Sequence, residues 1–165
     1  MNCRLLHWLI AAAVAGIAEM ASAQTRLAAI SSDGISLTGR NTLELIASDS
    51  DMVSRLMTCK RTTLVLDGLQ ASHEPGVSFQ IVLNHREDDL RTPRKQPGYV
   101  GDVNFFGVAQ RRGGTKLSFS LDAVIERLAR AKLSAGTWTV SIFSTRGPAR
   151  DSAPRIARIA IWCAD

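Results

Sequence analysis

From Thr62 onward the chain repeatedly places apolar residues at every second position, and only once at the spacing of a helix. A period of two puts one set of side chains on one face of a strand, so this pattern commits the chain to sheets. The cleanest case is Val77 to Asn84 (VSFQIVLN). Val77, Phe79, Ile81 and Leu83 share one face, Ser78, Gln80 and Asn84 the other, and Val82 is the exception. Thr62 to Leu69 (TTLVLDGL) is β-branched and apolar up to an interruption at Asp67-Gly68. Tyr99 to Phe106 (YVGDVNFF) carries Gly101, where a bulge or a close backbone approach is expected. Lys116 to Ser120 is a further short strand. Thr137 to Ser144 alternates with Trp138, Val140 and Ile142 inward, and Arg155 to Trp162 (RIARIAIW) reads as one closing strand. Upstream, Ile35 to Thr38 and Thr42 to Ala47 flank a turn-like Gly39-Arg40-Asn41.

The helical exception is Leu121, Val124, Ile125 and Leu128, spaced i, i+3, i+4 and i+7. Ser120 is placed to cap that helix and Asp122 falls in its first turn. Arg127, Arg130 and Lys132 gather towards its C-terminal end, and Gly136 ends it. Met52, Val53, Leu56 and Met57 fit a short helical turn or an irregular link. The expected class is therefore mainly β: an antiparallel β-sandwich or barrel with one amphipathic helix.

The chain starts with a short positive segment, Met1 to Arg4, and a mostly apolar run, Leu5 to Ala18. Ala21-Ser22-Ala23 then offers the small-x-small site of a signal peptidase before Gln24, so residues 1–23 read as a cleavable signal peptide. The alternative is an uncleaved anchor, but the run is shorter than the ~20 residues a bilayer requires. The expectation is export, to a periplasm or the outside, with no membrane span after cleavage. Residues 24–34, small and polar, read as a flexible lead-in, and 35–165 as one β domain. Cys3 leaves with the signal peptide. Cys59, just before one strand, and Cys163, at the end of the last, would then meet an oxidising compartment. Alternation does not put both on one face without a bulge, so a disulfide and two buried thiols both stay open.

A formal charge of +5 is mild, and the basic residues are scattered. Arg86, Arg91, Arg94 and Lys95 in the proline-containing loop from His85 to Gly98, and the pair Arg111-Arg112, are the nearest approach to a cluster. Nucleic-acid binding calls for a basic stripe, often interleaved with aromatics. The scattered pattern fits a solvated surface or a face for an acidic protein partner. Beyond the signal peptide the histidines are His73 and His85, without metal-ligand spacing, and a catalytic metal site usually takes three protein ligands. Glu87-Asp88-Asp89 lacks the spaced oxygens and glycine of a calcium loop. No Gly-x-Ser-x-Gly and no phosphate-cradling loop occurs. The chain is thus expected not to be an enzyme, with no catalytic, metal or cofactor-binding residue. Tyr99, Phe105 and Phe106 are either a binding platform or core.

The order of these segments resembles the C-terminal domain of tyrosinases and plant polyphenol oxidases. LVLDGL (Leu64 to Leu69) is similar to that family's Leu-Val-Ile-Glu-Gly strand, and VSFQIVLN to the Lys-Phe-Asp-Val strand, with Ser78-Phe79-Gln80 departing from Lys-Phe-Asp. YVGDVNFFG (Tyr99 to Gly107) is similar to Phe-Ala-Gly-Ser-Phe, with Gly101 at the glycine. LSFSLDAVIERLAR, TWTVSIFSTRG and RIARIAIW follow in family order, and ISLTGRNTLELIA looks like the stretch preceding the domain. The resemblance implies a domain that packs over a dicopper catalytic domain and shields it. A coupled copper pair of that type takes six histidines, which the two here do not supply. The implied role is an accessory partner of a separate tyrosinase-like dicopper oxidase subunit, with contacts from His85, Tyr99, Phe105 and Phe106. The alternative is a free-standing exported β-domain that binds another protein or a small ligand.

Overall fold

Alternating β-branched, aliphatic and aromatic residues build two open antiparallel sheets around one core. The computed structural model describes residues 25–31, 34–39, 41–47, 52–85, 93–111, 114–132, 137–144 and 146–165. In chain order its elements are β1 (Thr25–Ser31), β2 (Ile35–Ser36), β3 (Asn41–Glu44), β4 (Ile46–Ala47), α1 (Met52–Thr58), β5 (Arg61–Leu69) and β6 (Phe79–Leu83). A 3-10 turn (Pro93–Lys95) follows, then β7 (Tyr99–Val103), β8 (Thr115–Ser120), α2 (Asp122–Arg130), β9 (Thr139–Phe143), β10 (Arg155–Ile156) and β11 (Arg158–Ala164).

One sheet has the order β4-β1-β11-β5-β8, the other β3-β9-β6-β7, and β10 pairs separately with β2. Both sheets retain edge strands, which settles the sandwich-or-barrel question against a closed barrel. Leu64 and Leu66 of β5, Ile159 and Ile161 of β11, Phe79, Ile81 and Leu83 of β6, and Val140 and Ile142 of β9 join one buried cluster. The stripe Val124, Ile125 and Leu128 of α2 joins the same cluster, each large side chain contributing ~1.5–3 kcal/mol by leaving water. Val82, the exception to alternation, is fully buried like Ile81 beside it, so β6 is covered on both faces at this point.

Several sequence expectations are corrected. The 24–34 lead-in holds β1, which runs between β11 and β4 with Ile30 opposite Ala160 on one side and Ile46 on the other. Its pattern is faint because small residues, Ala28 and Ser31, occupy buried positions and the neighbours supply the apolar surface. Of the two readings for the Met52 segment, a helical turn or an irregular link, the helical one holds: α1 is a second helix, anchored by buried Leu56. Ser120 does not cap α2: Leu121 holds the N-cap position without a side-chain hydrogen bond. Asp122 instead accepts the Thr62 backbone N–H at 2.7 Å and fastens the helix start to β5. Gly136 lies outside the described residues.

The closing strand is broken. At Ala157 the chain leaves β10, paired with β2, and enters β11. The Ala157 N–H donates to the carbonyls of Asp67 and Gly68, so the Asp67-Gly68 interruption of β5 faces the break in its neighbour. Gly68 has φ +70° there, and a Cβ would lie 2.6 Å from that of Ala157. Gly101 does sit at a bulge, where the β6–β7 register shifts between Ile81 and Val82, with the Phe119 ring against it.

Cys59 and Cys163 are bonded, with Cα atoms 5.7 Å apart. Cys59 lies in the link between α1 and β5, outside the strand, so strand parity does not restrict it. The Lys60 N–H donating to Ala164 O brings that link beside the end of β11. No helix among the described residues is long and apolar enough to cross a membrane.

Candidate functional site

The four residues that the sequence singles out for partner contact surround the two ends of β7, and the structure treats them differently. Phe105 is withdrawn from the surface. It is 1% exposed and meets Phe79 edge-on with ring centroids 5.6 Å apart, so it is core and not a contact residue. Phe106, its neighbour, is 82% exposed.

The turn carrying Phe106 is fixed by its surroundings. The Val108 N–H donates to Phe105 O, the Phe106 N–H to Asn104 Oδ1, and the Gly107 N–H to Glu74 Oε1. Gly107 has φ +68°, which a glycine adopts without strain. Beside the exposed ring is an open groove of about 340 Å³, lined by Glu74 to Ser78 and by Asn104 to Phe106. The arrangement presents one large apolar ring on a pre-ordered backbone.

At the other end of β7 the chain arrives from the 3-10 turn. Gly98 passes directly under β6: a Cβ on it would lie 1.8 Å from Leu83 O, while the Leu83 N–H donates to Gly98 O. The half-buried Arg127 of α2 reaches across, its Nε donating to Pro97 O at 3.0 Å and its Nη2 to Tyr99 O at 2.7 Å. Tyr99 is half-buried and its hydroxyl donates to Asp102 Oδ1, while Arg94 pairs with Oδ2 of the same carboxylate. Burial, and then the bond to Asp102, pushes the Tyr99 phenol above its ordinary value. The same carboxylate, through its hydrogen bond and then its charge, raises the Arg94 guanidinium. A second concavity, of about 620 Å³, opens here between the turn and the end of α2.

His85 is half-buried. Its Nδ1 donates to Gln96 Oε1 at 2.7 Å and its ring tilts against Phe143, while its buried Nε2 has no hydrogen-bond partner among the described residues. His73 is exposed and bonded to Asp151 O. Among the described residues no group of three or more His, Cys, Asp or Glu is placed to hold a metal ion. Glu87, Asp88 and Asp89, together with Arg86, Arg91 and Arg112, lie outside the described residues.

Sequence reasoning missed Glu74, Asp102 and Arg127. Glu74 is separated by 33 positions from the turn it fastens, and Arg127 by 30 and 28 from the carbonyls it binds. The one local signal was Tyr99 and Asp102, three apart in a strand reading and joined because the bulge at Gly101 breaks alternation.

No family model and no curated protein matches the chain. Solved structures do. A recombinant latent aurone synthase (polyphenol oxidase) matches with a TM-score of 0.52 at 14% identity, covering 79% of this chain and 26% of that one. The same enzyme from its natural source gives 0.51 at 15% identity, covering 79% and 25%. Latent apple tyrosinase gives 0.52 at 16% identity, covering 79% and 27%. The chain has the fold of part of these oxidases. It spans about a quarter of their length.

Proposed function

We propose that the chain is a non-catalytic, exported accessory domain that covers or stabilises a separate copper-oxidase catalytic subunit. The observation that carries this reading is the fold likeness to about a quarter of latent polyphenol oxidases, covering 79% of this chain. On this reading the copper chemistry belongs to the partner; among the described residues no group of three or more His, Cys, Asp or Glu is placed to hold a metal ion. The signal-like N-terminus and the Cys59–Cys163 bond support export.

Phe106 is the contact best suited to the task. Its ring stands in water on a turn already ordered by Glu74 and Asn104, so seating it in an apolar entrance costs little further ordering. Burying such a ring gives ~1.5–3 kcal/mol. Tyr99 and His85 are engaged at the other end of β7, with Asp102 and with Gln96 and Phe143 respectively.

The test is co-expression with a dicopper polyphenol oxidase subunit that has no such domain of its own. Co-purification is expected, with catechol oxidation suppressed in the complex and restored on removing this chain. Absence of a complex, with oxidase activity and copper loading unchanged, sinks the partner reading. A purified chain that binds copper stoichiometrically and oxidises a catechol overturns the non-catalytic one.

A further inference from the structure

We propose that the groove between the Pro93–Lys95 turn and the C-terminal end of α2 docks an acidic segment of a protein partner. The groove has a volume of about 620 Å³, and Arg94, Lys95, Arg127 and Arg130 line it beside Pro97 and Tyr99. Its charges are unevenly compensated. Asp102 neutralises Arg94. Arg127 spends Nε and one Nη2 hydrogen on the neutral carbonyls of Pro97 and Tyr99, and Arg130 reaches only Glu126 O, at 3.4 Å. Among the described residues no ion pair is made by Lys95, Arg127 or Arg130.

A half-buried guanidinium with no ion pair among the described residues still offers Nη1 and its second Nη2 hydrogen as a fork suited to a carboxylate. The two carbonyl bonds hold that fork in place, so little ordering remains to be done on binding. The last turn of α2 stabilises the cations through the helix dipole without neutralising them. Carboxylate side chains on an extended segment meet this demand, with the Tyr99 ring and Pro97 as an apolar wall for their methylenes. A nucleic acid fits less well. The cations fill one concavity and do not run on as a stripe, and the single aromatic is tied to Asp102. The inference goes beyond the oxidase reading and does not require the partner to be an oxidase.

The experiment measures fluorescence anisotropy of a labelled peptide of alternating Asp and Glu on the full chain, against its Asn/Gln counterpart. The acidic peptide is expected to bind, and the neutral one not. The double variant Lys95→Glu/Arg130→Glu, both residues exposed, is expected to weaken binding at least ~10-fold. Lys116→Glu, exposed on β8 and outside the groove, is expected to stay within ~2-fold at low salt. Arg127→Gln is a supporting variant, read only where its circular dichroism matches the parent. Equal binding by the double variant, or by the neutral peptide, overturns the proposal. So does a single-stranded oligonucleotide that binds more tightly than the peptide and loses affinity in the same double variant, since it reassigns the groove to nucleic acid.

Discussion

β7 is five residues long, and its two ends present opposite chemistry. The Tyr99 end emerges from a turn pinned by backbone contact and by Arg127, and it offers cations in a concavity. The Phe105–Phe106 end runs into a turn pinned by a buried ring and by Glu74, and it offers an apolar ring on a prominence. In each, a buried or half-buried group fixes the backbone so that an exposed neighbour is presented in one geometry. The lesson is a division of labour between adjacent residues: Phe105 supplies stability where Phe106 supplies surface, and Gly98 and Arg127 do for the groove what Phe105 does for the turn.

The comparison breaks most visibly at Gly98. Gly98→Ala drives a methyl into Leu83 O, which is backbone and cannot swing aside. A loss of more than about 4 kcal/mol is expected, seen as a collapse of the urea midpoint. An unchanged midpoint means that the crossing under β6 is looser than described. Next is Phe105→Ala, expected to cost ~3–5 kcal/mol through lost burial and a cavity beside Phe79. Phe106→Ala is expected to stay within about 0.5 kcal/mol while abolishing suppression of the oxidase. If the two phenylalanine variants lose equal stability, the division of labour fails.

The smallest effect sharpens the groove end. Folding favours the neutral Tyr99 phenol, so its contribution is complete below the ordinary value of 10.0 and is lost as pH rises through the higher folded value. Tyr99→Phe is therefore expected to flatten the fall of Tm above that pH relative to the parent, and to lower Tm slightly at neutral pH by removing the bond to Asp102. A parallel Tm profile in both proteins places the pH dependence elsewhere.

Legibility in the sequence followed the range of the forces involved. The stripe of α2 and the inward set of β6 are written locally, because each residue's burial follows from its own periodicity, and both were read correctly. β1 was unreadable for the opposite reason: its burial comes from β11 and β4. The contact candidates Tyr99, Phe105, Phe106 and His85 lie around β7 in the structure, but the sequence pattern gives no means of ranking two adjacent phenylalanines. One withdraws because Phe79 awaits it; the other finds no such neighbour.

The sequence by itself determined that the chain is mainly β, with an amphipathic helix at 121–130 and cysteines near the two strand ends that later proved adjacent. Period-two and period-3.6 burial are properties of the chain alone. Only the tertiary structure decided that the sheets stay open, that Cys59 and Cys163 are bonded, and that Arg127 completes a basic groove. Each depends on which distant segment lies alongside, and that is set by the packing of the whole core.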